Sequence, residues 1–223
     1  MGFKSKLICV SVTAAMLLSM TVSSIAAVSG FNDLKEVEAK EKILALKDKG
    51  IVTGTGKGNF SPNAPVTAAQ GVQLIVNAFN LNLNFVKFAK EPKATDYFIK
   101  ADNNAWYAKG LIIAAVNSMQ LPGDLEPSKK WTREEFTHWL IQTMENHYYL
   151  PTVKIAYREI ANNKDITPEF EGQIQRAILY KVVSLDSNGQ FKPKAEITRA
   201  EAAEEIFNAL EYIDSRAVNK PQQ

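Results

Sequence analysis

Six stretches of the chain carry apolar residues at spacings of three and four. They are Ala39, Ile43 and Leu46; Val72, Ile75, Val76 and Phe79; Ala108, Ile112 and Ala115; Phe136, Trp139, Leu140 and Met144; Ile174, Ala177 and Ile178; and Ala203, Ile206, Leu210 and Ile213. Such spacings gather the side chains on one face of a helix, so each stretch predicts an amphipathic α-helix. The second, fourth and sixth have a written start. Thr67-Ala68-Ala69-Gln70, Thr132-Arg133-Glu134-Glu135 and Thr198-Arg199-Ala200-Glu201 all fit the capping box, Thr-x-x-Glu/Gln. Thr67, Gln70, Glu135 and Glu201 are thereby structural caps, and capping accounts for both Glu residues without a catalytic role. The first helix should stop at Gly50, which suits the left-handed residue after a helix end. Met119 and Lys181 stand at the equivalent places of the third and fifth helices and define their exits less well.

The helices belong to an internal repeat. Phe60-Ser61-Pro62, Leu125-Glu126-Pro127 and Phe191-Lys192-Pro193 are each followed, five residues after the Pro, by the capping Thr. Those Thr residues lie 65 and 66 positions apart. Each unit opens on a turn, read as Phe31-Asn32-Asp33-Leu34, Thr95-Asp96-Tyr97-Phe98 and, more weakly, Tyr157-Arg158-Glu159-Ile160. A helix follows, then a short turn such as Asp186-Ser187-Asn188-Gly189, then the Pro element and the capped helix. The units span 31–82, 93–147 and 155–214, with the first degenerate and a loose tail at 215–223. The expected fold is all-α, three helix-loop-helix repeats packed together, because one helix pair of this size cannot close a core.

Composition changes this picture at the N-terminus. Lys4 and Lys6 precede an uncharged apolar run from Leu7 to Met20, and Ser24-Ile25-Ala26-Ala27 offers small residues for cleavage. That pattern predicts a signal peptide over 1–26 and a secreted protein. The sole Cys, Cys9, lies inside it, so no disulfide framework is expected. The chain has 26 Lys+Arg against 24 Asp+Glu. Cleavage would remove two lysines and no acid, leaving a net charge of zero. Neither a nucleic-acid partner nor, after cleavage, a membrane partner is expected.

The third unit is the most characteristic: Gly189-Gln190-Phe191-Lys192-Pro193, then Ile197-Thr198-Arg199-Ala200-Glu201. With its two companions it resembles tandem S-layer homology repeats. The resemblance implies a pseudo-threefold bundle whose second helices meet at the centre. It also implies noncovalent attachment to an anionic, pyruvylated secondary polysaccharide of the wall, at the outer surface of a Gram-positive-type bacterium. The ligand would lie in grooves between repeats, with Arg133, Arg199, Thr132 and Thr198 beside it. Ala68 replaces the family Arg in unit one, which puts the groove using that position in doubt. Glu38 stands near the place where many repeats carry Trp. The other reading is a scaffold that has lost sugar binding and serves a structural or protein-interaction role with other envelope proteins.

The Arg residues can also be weighed physically. At the first helical position, a cation opposes the helix dipole. A ligand carboxylate would reverse that, meeting both the guanidinium and free N–H groups of the helix start. Alternatively, Arg133 pairs with Glu134, or Arg199 with Glu196 or an acid of another unit. Trp106 and Tyr107 could stack on a sugar face or fill core. Trp131 reads as a hydrophobic staple and Trp139 as core. His138 and His147 read as surface or boundary residues, and Glu204-Glu205 as a solvated helix face. Gly54-Thr55-Gly56-Lys57-Gly58 lacks the remaining residues of a phosphate loop and reads as a turn. No cofactor, metal site or catalytic residue is expected.

Overall fold

The computed structural model of the chain describes residues 30–117, 119–150 and 157–216. The signal-peptide reading of 1–26 and nearly all of the 215–223 tail lie outside them. The fold is all-α. Its helices are α1 (Lys40–Asp48), α2 (Ala68–Ala78), α3 (Ala108–Val116), α4 (Arg133–His147), α5 (Glu171–Leu179) and α6 (Arg199–Ser215). Short 3-10 turns lie at Ala94–Asp96, Asn163–Asp165 and Pro168–Phe170. Only isolated bridges, and no strands, occur among the described residues. No helix there is long and apolar enough to cross a membrane.

The three capped helices, α2, α4 and α6, pack against one another as a central bundle. Their stripes are buried: Val72, Ile75, Val76 and Phe79; Phe136, Leu140 and Met144; Ala203, Ile206 and Ile213. Trp139 and Leu210 are partly buried at the edge of this core. The outer helices do not pack on the inner helix of their own unit. Instead α3 of unit two lies on α2 of unit one, α5 of unit three on α4 of unit two, and α1 of unit one on α6 of unit three. Every unit therefore completes its neighbour, in a cycle that returns to its start.

Gly50 ends α1 at φ 71°, and Lys181 takes the same left-handed post after α5 at φ 60°. A side chain in that region costs about 1 kcal/mol that glycine avoids. The backbone bonds correct one equivalence. Ile51 N–H donates to Leu46 O, Met119 N–H to Ala114 O and Val182 N–H to Ala177 O. Met119 therefore matches Ile51 and Val182, not Gly50, and is fully buried as an apolar residue should be.

The opening turns also shift. Asn32, Ile99 and Ala161 each donate a backbone bond to Gly58, Gly123 and Gly189, respectively, at 2.9 Å. The turns thus align as 31–34, 98–101 and 160–163, three residues later in units two and three than the acidic pattern suggests. Asp33, Lys100 and Asn162 become equivalent. Asp33 accepts from the N–H groups of Phe60 and Ser61, and Asn162 Oδ1 from Phe191 N–H. Burial works to raise the Asp33 pKa, but the N–H groups of Phe60, Ser61 and Asp33 itself, together with the Arg199 charge, outweigh it and the net shift is downward.

Candidate functional site

The site is built where the three capped helices begin. Val66, Trp131 and Ile197 immediately precede the capping threonines. Val66 N–H donates to Ile197 O at 3.0 Å, Ile197 N–H to Trp131 O at 3.1 Å, and Trp131 N–H to Val66 O at 2.9 Å. These bonds close a three-membered ring across all three units. One layer on, Ala68 N–H donates to Lys129 O, Arg133 N–H to Ala195 O and Arg199 N–H to Ala64 O. Next, Ala69, Glu134 and Ala200 donate to the carbonyls of Pro127, Pro193 and Pro62. The third N–H of each helix goes to its capping Thr, and Gln70, Glu135 and Glu201 reach back to complete all three boxes.

This changes the expectation for the helix starts. The first three N–H groups of each helix are already bonded, two of them by the neighbouring unit, through the carbonyl of its element Pro and that of the residue two positions further on. A helix terminus attracts an anion through unsatisfied donors, and here the adjoining repeat has taken them.

Both arginines are likewise turned into contacts between units. Arg199 donates from Nε to Phe60 O at 2.8 Å and from Nη2 to Thr53 O at 2.9 Å. Its guanidinium lies 4.5 Å from the Phe60 ring centroid, a cation–π geometry. Arg133 repeats the pattern over Phe191 at 5.3 Å and approaches Glu205 and Glu201 at 3.6 and 3.9 Å. Arg133 thus approaches acids of another unit rather than pairing with Glu134, and Arg199 uses carbonyls rather than Glu196. Ala68, at the same position in unit one, is fully buried and faces a unit whose Pro element begins with Leu125 rather than Phe.

Two polar residues read as surface are interior. Glu205 is only 2% exposed, because α6 is central and this face meets α4, where the Thr137 hydroxyl donates to it at 2.8 Å. Burial, only partly countered by Arg133 and Thr137, pushes its carboxyl up to about 8. Glu204 stays near solvent and pairs with Lys42 at 2.6 Å. His138 is buried against Phe170, ring centroids 4.2 Å apart, and burial pulls its pKa down to about 4. His147 keeps a boundary position beside an apolar cavity of about 450 Å³ at the far end of the bundle.

Three grooves surround the helix starts, and they differ in charge. The first, about 700 Å³, runs between units one and two. It is lined by Thr67, Ala69, Gln70, Lys100, Trp106, Tyr107, Glu126, Pro127 and Ser128. Trp106 is 64% exposed and stands edge-on to Tyr107. The third, about 550 Å³ between units three and one, is acidic: Asp33, Glu36, Glu38, Glu201 and Glu204 face Lys35. The second, about 600 Å³, is lined only by unit three, including Lys164, Thr167, Lys192 and Lys194. Its helix-start side is taken by Glu134. Thr132 and Thr198 serve as caps, and only Thr198 borders a groove, the acidic one. Lys100 escaped the sequence reading because its register depends on the backbone pairing. Glu134 carries a signal in the sequence that the reading passed over: it stands where the sister units have Ala69 and Ala200.

This is a closed, pseudo-threefold repeat module with its grooves at the unit junctions. A model of the S-layer homology domain matches residues 30–70 and 164–203, within units one and three. The chain thus carries S-layer homology domain sequence in two of its three units, and that domain typically anchors proteins to the cell envelope. The chain is 29% identical over 184 residues to an amylopullulanase of Thermoanaerobacterium thermosulfurigenes, covering 81% of this chain and 9% of that one. It is 26% identical to the surface-layer 125 kDa protein of Lysinibacillus sphaericus, over 94% of this chain and 17% of the relative. The S-layer protein sap of Bacillus anthracis is 28% identical, over 90% and 24%. The chain thus spans a small part of each. The S-layer relatives indicate a cell-envelope location.

Proposed function

We propose that the chain is a noncatalytic envelope-attachment module that holds an anionic, pyruvylated wall polysaccharide noncovalently in its first groove. The observation that carries this reading is the exposed Trp106, which lines one groove with the capping box of Thr67 and Gln70 and with Lys100, whose ammonium lies 4.0 Å from Glu126 of the same groove. An indole face packs against the C–H face of a sugar, and the ammonium complements a carboxylate. In this reading Arg133 and Arg199 hold the units together, and Ala68 costs the groove nothing, because its position points inward. The module is secreted and works at the outer surface.

Trp106→Ala should leave stability nearly unchanged and weaken retention by purified walls about tenfold, the equivalent of about 1.4 kcal/mol. Lys100→Gln should weaken it further and reduce its salt dependence. Cosedimentation with native walls and with walls stripped of secondary polymer measures both. Equal retention on the two kinds of wall would sink the reading.

A second reading, a scaffold that joins other envelope proteins without binding sugar, draws on a different observation. Both arginines are engaged internally, the third groove is acidic and the second is filled. Unchanged wall retention by a folded Trp106→Ala, Lys100→Gln double variant would favour it.

A further inference from the structure

Glu134 is a buried carboxylate in an unusual place. Its equivalents Ala69 and Ala200 each line an open groove reaching both units of their junction. Glu134 instead projects from α4 into unit three and is 3% exposed. Three donors of unit three converge on it: Thr167 N–H at 2.9 Å, the Thr167 hydroxyl at 2.8 Å, and the Lys194 ammonium. Lys194 also donates to the Thr167 hydroxyl oxygen at 2.7 Å, so the donors form one network. A buried carboxylate needs this many partners to stay ionised. Burial works to raise its pKa, but Lys194 and Thr167 more than offset that and hold it below the ordinary carboxylate range.

We propose that Thr167 and Lys194 form a carboxylate receptor in the second groove, and that Glu134 occupies it as an internal ligand and closes it to external anions. Because Glu134 is tethered, its effective concentration exceeds that of a free carboxylate. The second groove is thereby shut, and the anionic-ligand capacity of the module falls to the first. The class of external ligand the receptor would accept is a small carboxylate, free or borne on a glycan. The wall-binding reading enters only in the choice of a glycan as its source; the receptor itself stands on the contacts of Glu134.

Removing the internal ligand tests this directly. Glu134→Ala restores the residue type of the sister units, and sodium acetate serves as the probe, with sodium chloride at equal ionic strength as control. The Thr167 amide resonance should shift saturably with acetate in the variant. It should not respond in the wild type or in Glu134→Gln, which keeps the receptor filled. No saturable shift in Glu134→Ala, or the same shift in the wild type, overturns the proposal. If Glu134→Ala does not fold, Lys194→Met decides. Removing the ammonium should raise the Glu134 carboxyl pKa, read by 13C NMR, and an unmoved pKa overturns the receptor. Wild-type retention on walls is measured in parallel. Acetate uptake by Glu134→Ala without wild-type retention leaves the receptor standing and fails the wall reading; the converse result does the reverse.

Discussion

Trp131→Ala should destabilise the folded chain by about 3–5 kcal/mol, the usual cost of emptying a buried aromatic site. Trp131 is 1% exposed and meets Phe136 edge-on, with centroids 6.3 Å apart. Its ring lies directly on Gly71 of α2, where an added Cβ would drive into the indole. One side chain of unit two thus fills space belonging to unit one. Its backbone N–H and C=O stay in the hydrogen-bonded ring after substitution, so the loss measures packing across the junction. Gly71→Ala attacks the same contact from the other side by overpacking, at about 1–3 kcal/mol. Urea unfolding should show both losses as a lower midpoint in a single transition, because no unit has a core of its own. A loss under about 1 kcal/mol for Trp131→Ala, or a transition split in two, would contradict this account of the junction.

The second large effect depends on pH. The Glu205 carboxyl ionises at about 8 in the folded chain, against a reference value of 4.5. Between those values the folded state keeps a proton that the unfolded state releases. The contribution of Glu205 to stability is therefore fully present below about 4.5 and is lost as pH rises toward 8. For one proton the slope is at most about 1.4 kcal/mol per pH unit. Glu205→Gln keeps the shape and removes the proton, so its stability relative to the wild type should rise with pH and level off above about 8. His138 acts in the opposite direction. Its folded pKa of about 4, against 6.5, removes stability as pH falls through that window. Because His138 is common to both chains, the difference between wild type and Glu205→Gln isolates Glu205. Urea unfolding at several pH values supplies that difference, and a pH-independent one would refute the assignment. The groups facing Glu205 are Arg133 and Thr137 of α4, with Glu201 and Glu204 on its own helix.

The helices, their starts and the repeat were legible in the chain because spacing and capping are local. The Thr-x-x-Glu/Gln boxes form as written, since all their atoms lie within one turn. What spacing cannot name is a partner. The stripe of α3 shows which face is buried, but not that α2 of the previous unit covers it. Arg133 and Arg199 illustrate the same limit: their types suit an anion, yet their environment is set by Phe191 and Phe60 of the neighbouring unit. Glu205 looked like half of a solvated acidic pair because its neighbour Glu204 is one. Only the crossing of α6 with α4 separates the two. Lys100 enters the first groove because Ile99 pairs with Gly123, which sets the opening turn three residues later than the acidic pattern suggests. Trp106, by contrast, was singled out by its residue type and stands exposed in a groove.

The ring through Val66, Trp131 and Ile197 also imposes an order in time. The chain emerges from the ribosome N-terminus first, so units one and two are available while the third is still being made. At that stage Val66 N–H has no acceptor and α6 is missing from the centre, leaving α1 without the helix it lies on. The nascent chain can form local helices but cannot complete its interior until the third unit arrives. Commitment to the compact state is deferred until the third unit has been made. The same geometry counts: two units leave a donor and an acceptor facing nothing, and a fourth finds no opening. A longer array built from such units would be read by the fold in threes.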